Sequence, residues 1–218
     1  ITEKVTIKVI EHGATKNKFE KERIYKTKYH KEKKIKLLYV STVKKYKHQW
    51  NLIKAVKLLK IEGIPIELHL IGGGDKQALN LMFNTIEKCD FGKDYLFYHG
   101  TLSHKETQKW FILSDMFVFP STCEAFGLSL LEAMTFGLPI ACSDQGPMRY
   151  ILKDAGLYFN SESVSSIKNC LEYLINKPNL MKSLGKRAKM YSNSYSWKKC
   201  ADETLSFLSS VYKKTRYE

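Results

Sequence analysis

The chain has 218 residues, of which 44% are hydrophobic and 12% aromatic, enough to close one large core and too apolar for a disordered chain. No stretch approaches the roughly 18 uninterrupted apolar residues of a membrane-spanning helix. The five cysteines are scattered without a C-x-x-C, and the six histidines fall at no metal-ligand spacing from them, which excludes a disulfide scaffold and a zinc module and predicts reduced core thiols in a cytoplasmic protein.

An opening Ile1 in place of Met is expected of a piece of a longer chain. Residues 5–10 read as a strand, and His12-Gly13-Ala14 as a turn after it. Much of the net charge of +14 lies between Lys16 and Lys36, where Lys or Arg recurs at almost every second residue. Acidic residues are interspersed and aromatics do not alternate with the charges, so the plainer reading is a solvated loop. Contact with an anionic membrane at the inner face of the plasma membrane is the alternative. No recognised nucleic-acid-binding module is present, so no nucleic-acid partner is expected.

From residue 35 onward, strands and helices alternate. Residues 35–41 (IKLLYVS) form a buried strand, and Leu52, Ile53, Val56 and Leu59 make a helical stripe over 49–61. A second strand, 66–71, ends at Gly72-Gly73-Gly74. A helix over 76–89, a strand over 95–98 and a helix over 104–113 follow, then a strand over 116–119. The pattern continues with a helix over 127–136, a strand over 139–142, a short helix over 147–152 and a strand over 156–159. Helices over 163–176 and 179–191 precede a last one from about Ser196, striped with Trp197, Ala201, Leu205, Leu208 and Tyr212.

Six strands alternating with helices predict a Rossmann-like, doubly wound α/β fold, a parallel sheet in the order 3-2-1-4-5-6. Ligands then sit at the carboxyl ends of the strands. The segments to interrogate are 42–47, 72–75, 100–104, 120–127 and 143–149.

One of these is rich in chemistry: STCEAFGLSLLEAMTFGLP, residues 121–139. Glu124 follows the fourth strand, Gly127 opens a helix, and Glu132 lies five residues further on, about 7.5 Å along the axis. The free amides of Phe126, Gly127 and Leu128 would form an anion site. A diphosphate docked there has Glu132 within reach of an adjacent ribose. Spacing alone favours a plainer reading, with Glu124 complementing the helix dipole and Glu132 solvated.

The stretch closely resembles the hallmark of retaining glycosyltransferases of family 4 (glycosyl transferases group 1), in the GT-B class: Glu, seven residues, Glu, with Phe-Gly after the first and Ala-Met after the second. Here it reads Glu124-Ala-Phe-Gly-Leu-Ser-Leu-Leu-Glu132-Ala-Met, followed by Gly137-Leu-Pro139. The resemblance runs from about Lys34 to the C-terminus. It implies a C-terminal, donor-binding domain over 35–218, with 17–34 a basic connecting segment and 1–16 the remnant of an interdomain strand and hinge. The last helix would return toward a missing N-terminal domain.

Carried over by position, the resemblance places Glu124 against the donor sugar near the reacting carbon and Glu132 on the ribose hydroxyls. The amides of Phe126, Gly127 and Leu128 would hold sugar hydroxyls and phosphate. Lys47 would meet the diphosphate, Gly73 would lie beside the nucleotide, and Leu102 or His104 near the base. Two departures stand out. Ser41 and Thr42 occupy the places of the family's Gly-Arg phosphate clamp, and Tyr150 replaces a frequent Glu. Arg149 beside it is a candidate for the lost positive charge. The implied donor is a UDP-sugar or GDP-sugar and the acceptor a glycan or lipid-linked hydroxyl, with no metal and no other cofactor. The fragment alone is expected to bind and not turn over. The departures favour the alternative of a non-catalytic, nucleotide-binding or membrane-docking paralogue.

Overall fold

Strand β2 (Ile66–Ile71) is buried at every residue, as expected of a strand covered on both faces. It pairs in parallel with β1 (Ile35–Val40) on one side and β3 (Leu96–Tyr98) on the other. The computed structural model describes residues 6–15, 34–90 and 92–215. These residues hold one six-stranded, all-parallel sheet completed by β4 (Met116–Phe119), β5 (Ile140–Ser143) and β6 (Leu157–Phe159). The strand order is β3-β2-β1-β4-β5-β6, the order the alternation predicts, with boundaries displaced by about a residue.

The order reverses between β3 and β4, so right-handed crossovers send the helices to opposite faces. Helix α1 (Gln49–Ile61) packs between α2 (Lys76–Cys89) and α6 (Val164–Ile175). Helix α3 (His104–Leu113) crosses β1, and α4 (Leu128–Thr135) packs against α5 (Met148–Leu152) and α7 (Pro178–Ser192).

Local chemistry starts each element where it does. The Asp75 carboxylate accepts the Ala78 amide at 2.9 Å and opens α2, and Ser103 with Glu106 forms a reciprocal capping box on α3. Buried Asp90 accepts three amides, those of Asp94, Tyr95 and Leu96, at 2.8–2.9 Å, and so aims the chain into β3. The two halves of the sheet are stapled at their base, where the Asp115 carboxylate accepts the Lys36 amide at 2.9 Å.

Three expectations need correction. Residues 6–10 form no strand: they are mostly exposed, with Ile7 and Val9 more than 80% accessible, because among the described residues no neighbouring backbone lies alongside to complete a ladder. Among those residues the first pairing is at Ala14, whose bridge is to Ser196. Helix α4 begins at Leu128, not Gly127, which is its N-cap at φ 94°. The cysteines are free, but Cys123 is exposed in the loop after β4 instead of lying in the core. The basic segment 17–34 lies outside the described residues except for Lys34.

Helix α8 (Trp197–Thr215) extends from the domain with Trp197, Leu205, Leu208 and Tyr212 each at least half exposed. Among the described residues, no helix is long and apolar enough to cross a membrane.

Candidate functional site

A cleft of about 560 Å³ opens at the carboxyl ends of β1, β2 and β4, where the strand order reverses. Its volume suits a small-molecule ligand.

On the β1 side, the chain leaves the strand through Ser41 and Thr42, both in the cleft wall, and reaches a 3-10 turn over Lys45–Lys47. Lys47 is 7% exposed. Its carbonyl accepts the Tyr39 hydroxyl at 2.9 Å, and its ammonium donates to Oε1 of Glu124 across the cleft. The next residue, His48, takes a left-handed conformation at φ 52° and reaches Thr122 Oγ1 at 3.1 Å, while the Thr122 amide donates to the Tyr46 carbonyl at 2.9 Å. Two straps therefore hold the Lys47 turn against the Glu124 loop. Burial holds the His48 imidazole below its ordinary range, so it stays neutral at physiological pH.

On the β4 side, Glu124, Phe126, Gly127, Leu128, Ser129 and Glu132 line the cleft. The first intrahelical bond of α4 runs from the Leu131 amide to the Gly127 carbonyl, 3.1 Å. Helix geometry then leaves the amides of Gly127, Leu128, Ser129 and Leu130 without intrahelical acceptors. The open donors thus run two residues further than predicted, and Phe126 precedes the cap. Phe126 instead packs its ring edge-on against His12 at 5.1 Å and Tyr195 at 5.9 Å.

Glu132, whose side chain is 35% exposed, pairs with His104 Nε2 at 3.2 Å. Burial raises its carboxyl above the usual carboxylate range, and the His104 contact only partly offsets that. Both His104 and Leu102 stand at this end of the cleft, Leu102 in its wall.

Gly73 does not line the cleft; Gly72 does. The Gly73 carbonyl accepts the Val43 amide at 2.7 Å, tying the two loops together behind the wall. At Gly72, φ is 131° and a Cβ would lie 2.2 Å from the Ser41 carbonyl oxygen, so no side chain fits there. Arg149 also lies outside the wall, its guanidinium stacked 4.2 Å from the Tyr158 ring centroid. Tyr150 donates its hydroxyl to Glu11 at 2.6 Å. Among the described residues, no group of three metal-ligating side chains converges.

His12, read from the sequence as part of a turn, is also a wall residue; its place depends on the turn docking on the start of α8. The Lys47–Glu124 pair was not read from the sequence: both residues were singled out, but their contact spans 77 positions.

The sequence profile described as glycosyl transferases group 1 matches residues 20–191. The chain belongs to that family. Among curated family relatives, it is 26% identical over 175 residues to a D-inositol 3-phosphate glycosyltransferase of Arthrobacter sp., covering 79% of this chain and 42% of that one. It is 24% identical to the O-antigen chain mannosyltransferase B of Escherichia coli, covering 77% and 44%. The fold is that of GT-B enzymes. Sucrose-phosphate synthase of Thermosynechococcus elongatus superposes with a TM-score of 0.75 at 21% identity, over 83% of this chain and 46% of that one. HepE of Anabaena, solved with UDP and glucose, gives 0.73 at 16%, over 81% and 48%. The chain spans less than half the length of these relatives.

Proposed function

We propose that this family member binds a nucleoside diphosphate sugar, a UDP-sugar or GDP-sugar, and with a further domain transfers the hexose to an acceptor hydroxyl with retention. The observation that carries the reading is the convergence of a buried ammonium–carboxylate pair, an open helix amino end and Glu132 on one cleft at the switch point of the sheet.

In the reaction, the bond from the anomeric carbon to the diphosphate oxygen breaks, and the acceptor oxygen, giving up its proton to a base of the further domain, bonds to the same face. Positive charge grows on the sugar ring while negative charge grows on the leaving diphosphate. Lys47 and the α4 amides meet the negative charge where it develops. An ammonium has three donors, so Lys47 can hold Glu124 and a phosphate oxygen together. That contact occupies only Oε1 of Glu124, and Oε2 is left to accept from a sugar hydroxyl near the reacting carbon. Glu132 would accept from the ribose hydroxyls, displacing His104.

Calorimetric titration of the chain with UDP, GDP, ADP and their sugars tests the binding. In the intact enzyme, Glu124→Ala should abolish transfer and leave nucleotide affinity largely unchanged; transfer at the wild-type rate would remove Glu124 from the mechanism. Ser41 and Thr42 in the wall, in place of a phosphate-clamping arginine, favour the second reading of a nucleotide-binding paralogue without activity. Tight nucleotide binding with no transfer by the intact protein would select it. We further propose that the protein is cytoplasmic and touches anionic membrane through residues 16–36. Liposome binding that persists on neutral lipid would exclude that contact.

A further inference from the structure

The cleft is short of positive charge for the ligand proposed above. Among its described wall residues, Lys47 is the one fixed cation, set against the carboxylates of Glu124 and Glu132. A diphosphate diester brings two more negative charges into the same 560 Å³. The open amides of α4 supply partial charge only.

His12 is placed to add a further hydrogen-bond donor. It lies in the cleft wall on the segment ahead of the sheet, and that segment is held firmly. The Ala14 amide reaches the Tyr195 carbonyl at 3.4 Å, Ala14 bridges to Ser196, and a Cβ on Gly13 would lie 2.1 Å from the Trp197 amide nitrogen. The imidazole then packs edge-on between two rings, Phe126 at 5.1 Å and Trp197 at 5.9 Å. Phe126 immediately precedes the Gly127 cap of α4, so His12 overhangs the amino end of that helix. The ring is thus oriented by packing alone. Among the described residues, neither of its nitrogens has a hydrogen-bond partner, although the side chain is exposed to the cleft.

The charged groups around it are otherwise engaged. On its own segment, Glu11 accepts the Tyr150 hydroxyl at 2.6 Å and lies 3.6 Å from the Lys199 ammonium on α8. Across the cleft, Lys47 holds Glu124, and on the α3–α4 side His104 holds Glu132.

Building on the donor-site reading, we propose that His12 donates a ring N–H to the donor diphosphate. It contacts phosphate in the ground state and is a binding residue for the diphosphate, in the same cleft wall as Lys47 and as Ser41 and Thr42, which replace the family's arginine clamp.

The test is titration calorimetry of the chain with UDP-glucose, GDP-mannose and ADP-glucose. His12→Phe, which keeps the ring packing and loses the N–H, should weaken all three donors roughly tenfold, while His12→Lys, which restores a donor, should keep more of the affinity. The loss should be absent for uridine, which carries no diphosphate. Wild-type donor affinity in His12→Phe, or an equal loss for uridine, overturns the assignment and leaves the donor site standing. Failure to bind any of the three donors overturns the donor-site reading, and this inference with it.

Discussion

The Lys47–Glu124 pair offers a sharp test of how the site is held. In Lys47→Met, an unbranched apolar stem is kept and the ammonium, 5.3 Å from the Tyr46 ring centroid and 5.9 Å from that of Phe119, is lost. Glu124 then remains with its side chain 14% exposed and its counter-charge gone. Breaking a buried pair on one side costs about 3–5 kcal/mol. The Glu124 carboxylate still faces a water-filled cleft, so the lower end applies, roughly 3 kcal/mol. For a domain of this size that is a fall of about 6–12 °C in Tm. Adding Glu124→Gln neutralises the orphaned carboxylate, and the double variant should regain more than half of the loss. Scanning calorimetry with urea denaturation of the four proteins closes the cycle, and an unchanged m-value confirms that only stability moved. A Lys47→Met variant melting within about 1 °C of wild type would show that the two charges are not coupled, and the argument that they pre-form the site would fail.

Two further variants probe the same cleft. Because burial raises the Glu132 carboxyl, the fold favours its protonated form; that contribution is complete below the unfolded-state range and is lost as pH rises through the folded value. Glu132→Gln should therefore melt higher than wild type at pH 7, with the difference closing near about pH 4, while nucleotide affinity falls on the order of tenfold to a hundredfold. A variant less stable at pH 7 would refute the sign. Gly72→Ala forces a methyl to within 2.2 Å of the Ser41 carbonyl at a left-handed φ, at a cost on the order of 1–3 kcal/mol. It should also weaken nucleotide binding, because Ser41 is itself cleft wall; unchanged melting and affinity would mean the two loops are not in contact.

Much of the sheet was legible in the chain because its strands are mostly apolar runs, broken only by Lys36 in β1 and by Glu67 and His69 in β2, and parallel connections leave few orders open. The cleft's location followed from the same rule, since the segments after β1, β2 and β4 are fixed by topology. What periodicity did not reveal was tertiary. The run over residues 5–10 alternates like a strand, but a strand exists only where another backbone lies beside it, and among the described residues Ile7 and Val9 have none. Gly127 reads as a helix residue until its φ of 94° makes it the cap. Three glycines in a row do not say which one faces the ligand; the left-handed turn and the nearby Ser41 carbonyl select Gly72. His12 reads as part of a turn, and only its docking on Phe126 and Trp197 brings it to the cleft.

The central place of β1 has a consequence for how the protein is made. One edge of β1 pairs with β2 soon after synthesis, but the other waits for β4, and the Lys36–Asp115 staple joins residues 79 positions apart. At about 5–20 residues per second, translation leaves that edge open for roughly 4–16 s. During that interval Leu37 and Leu38, both fully buried in the finished protein, present an apolar strand with unpaired backbone groups to whatever the nascent chain meets. The second half of the sheet therefore seals a surface that the first half cannot cover.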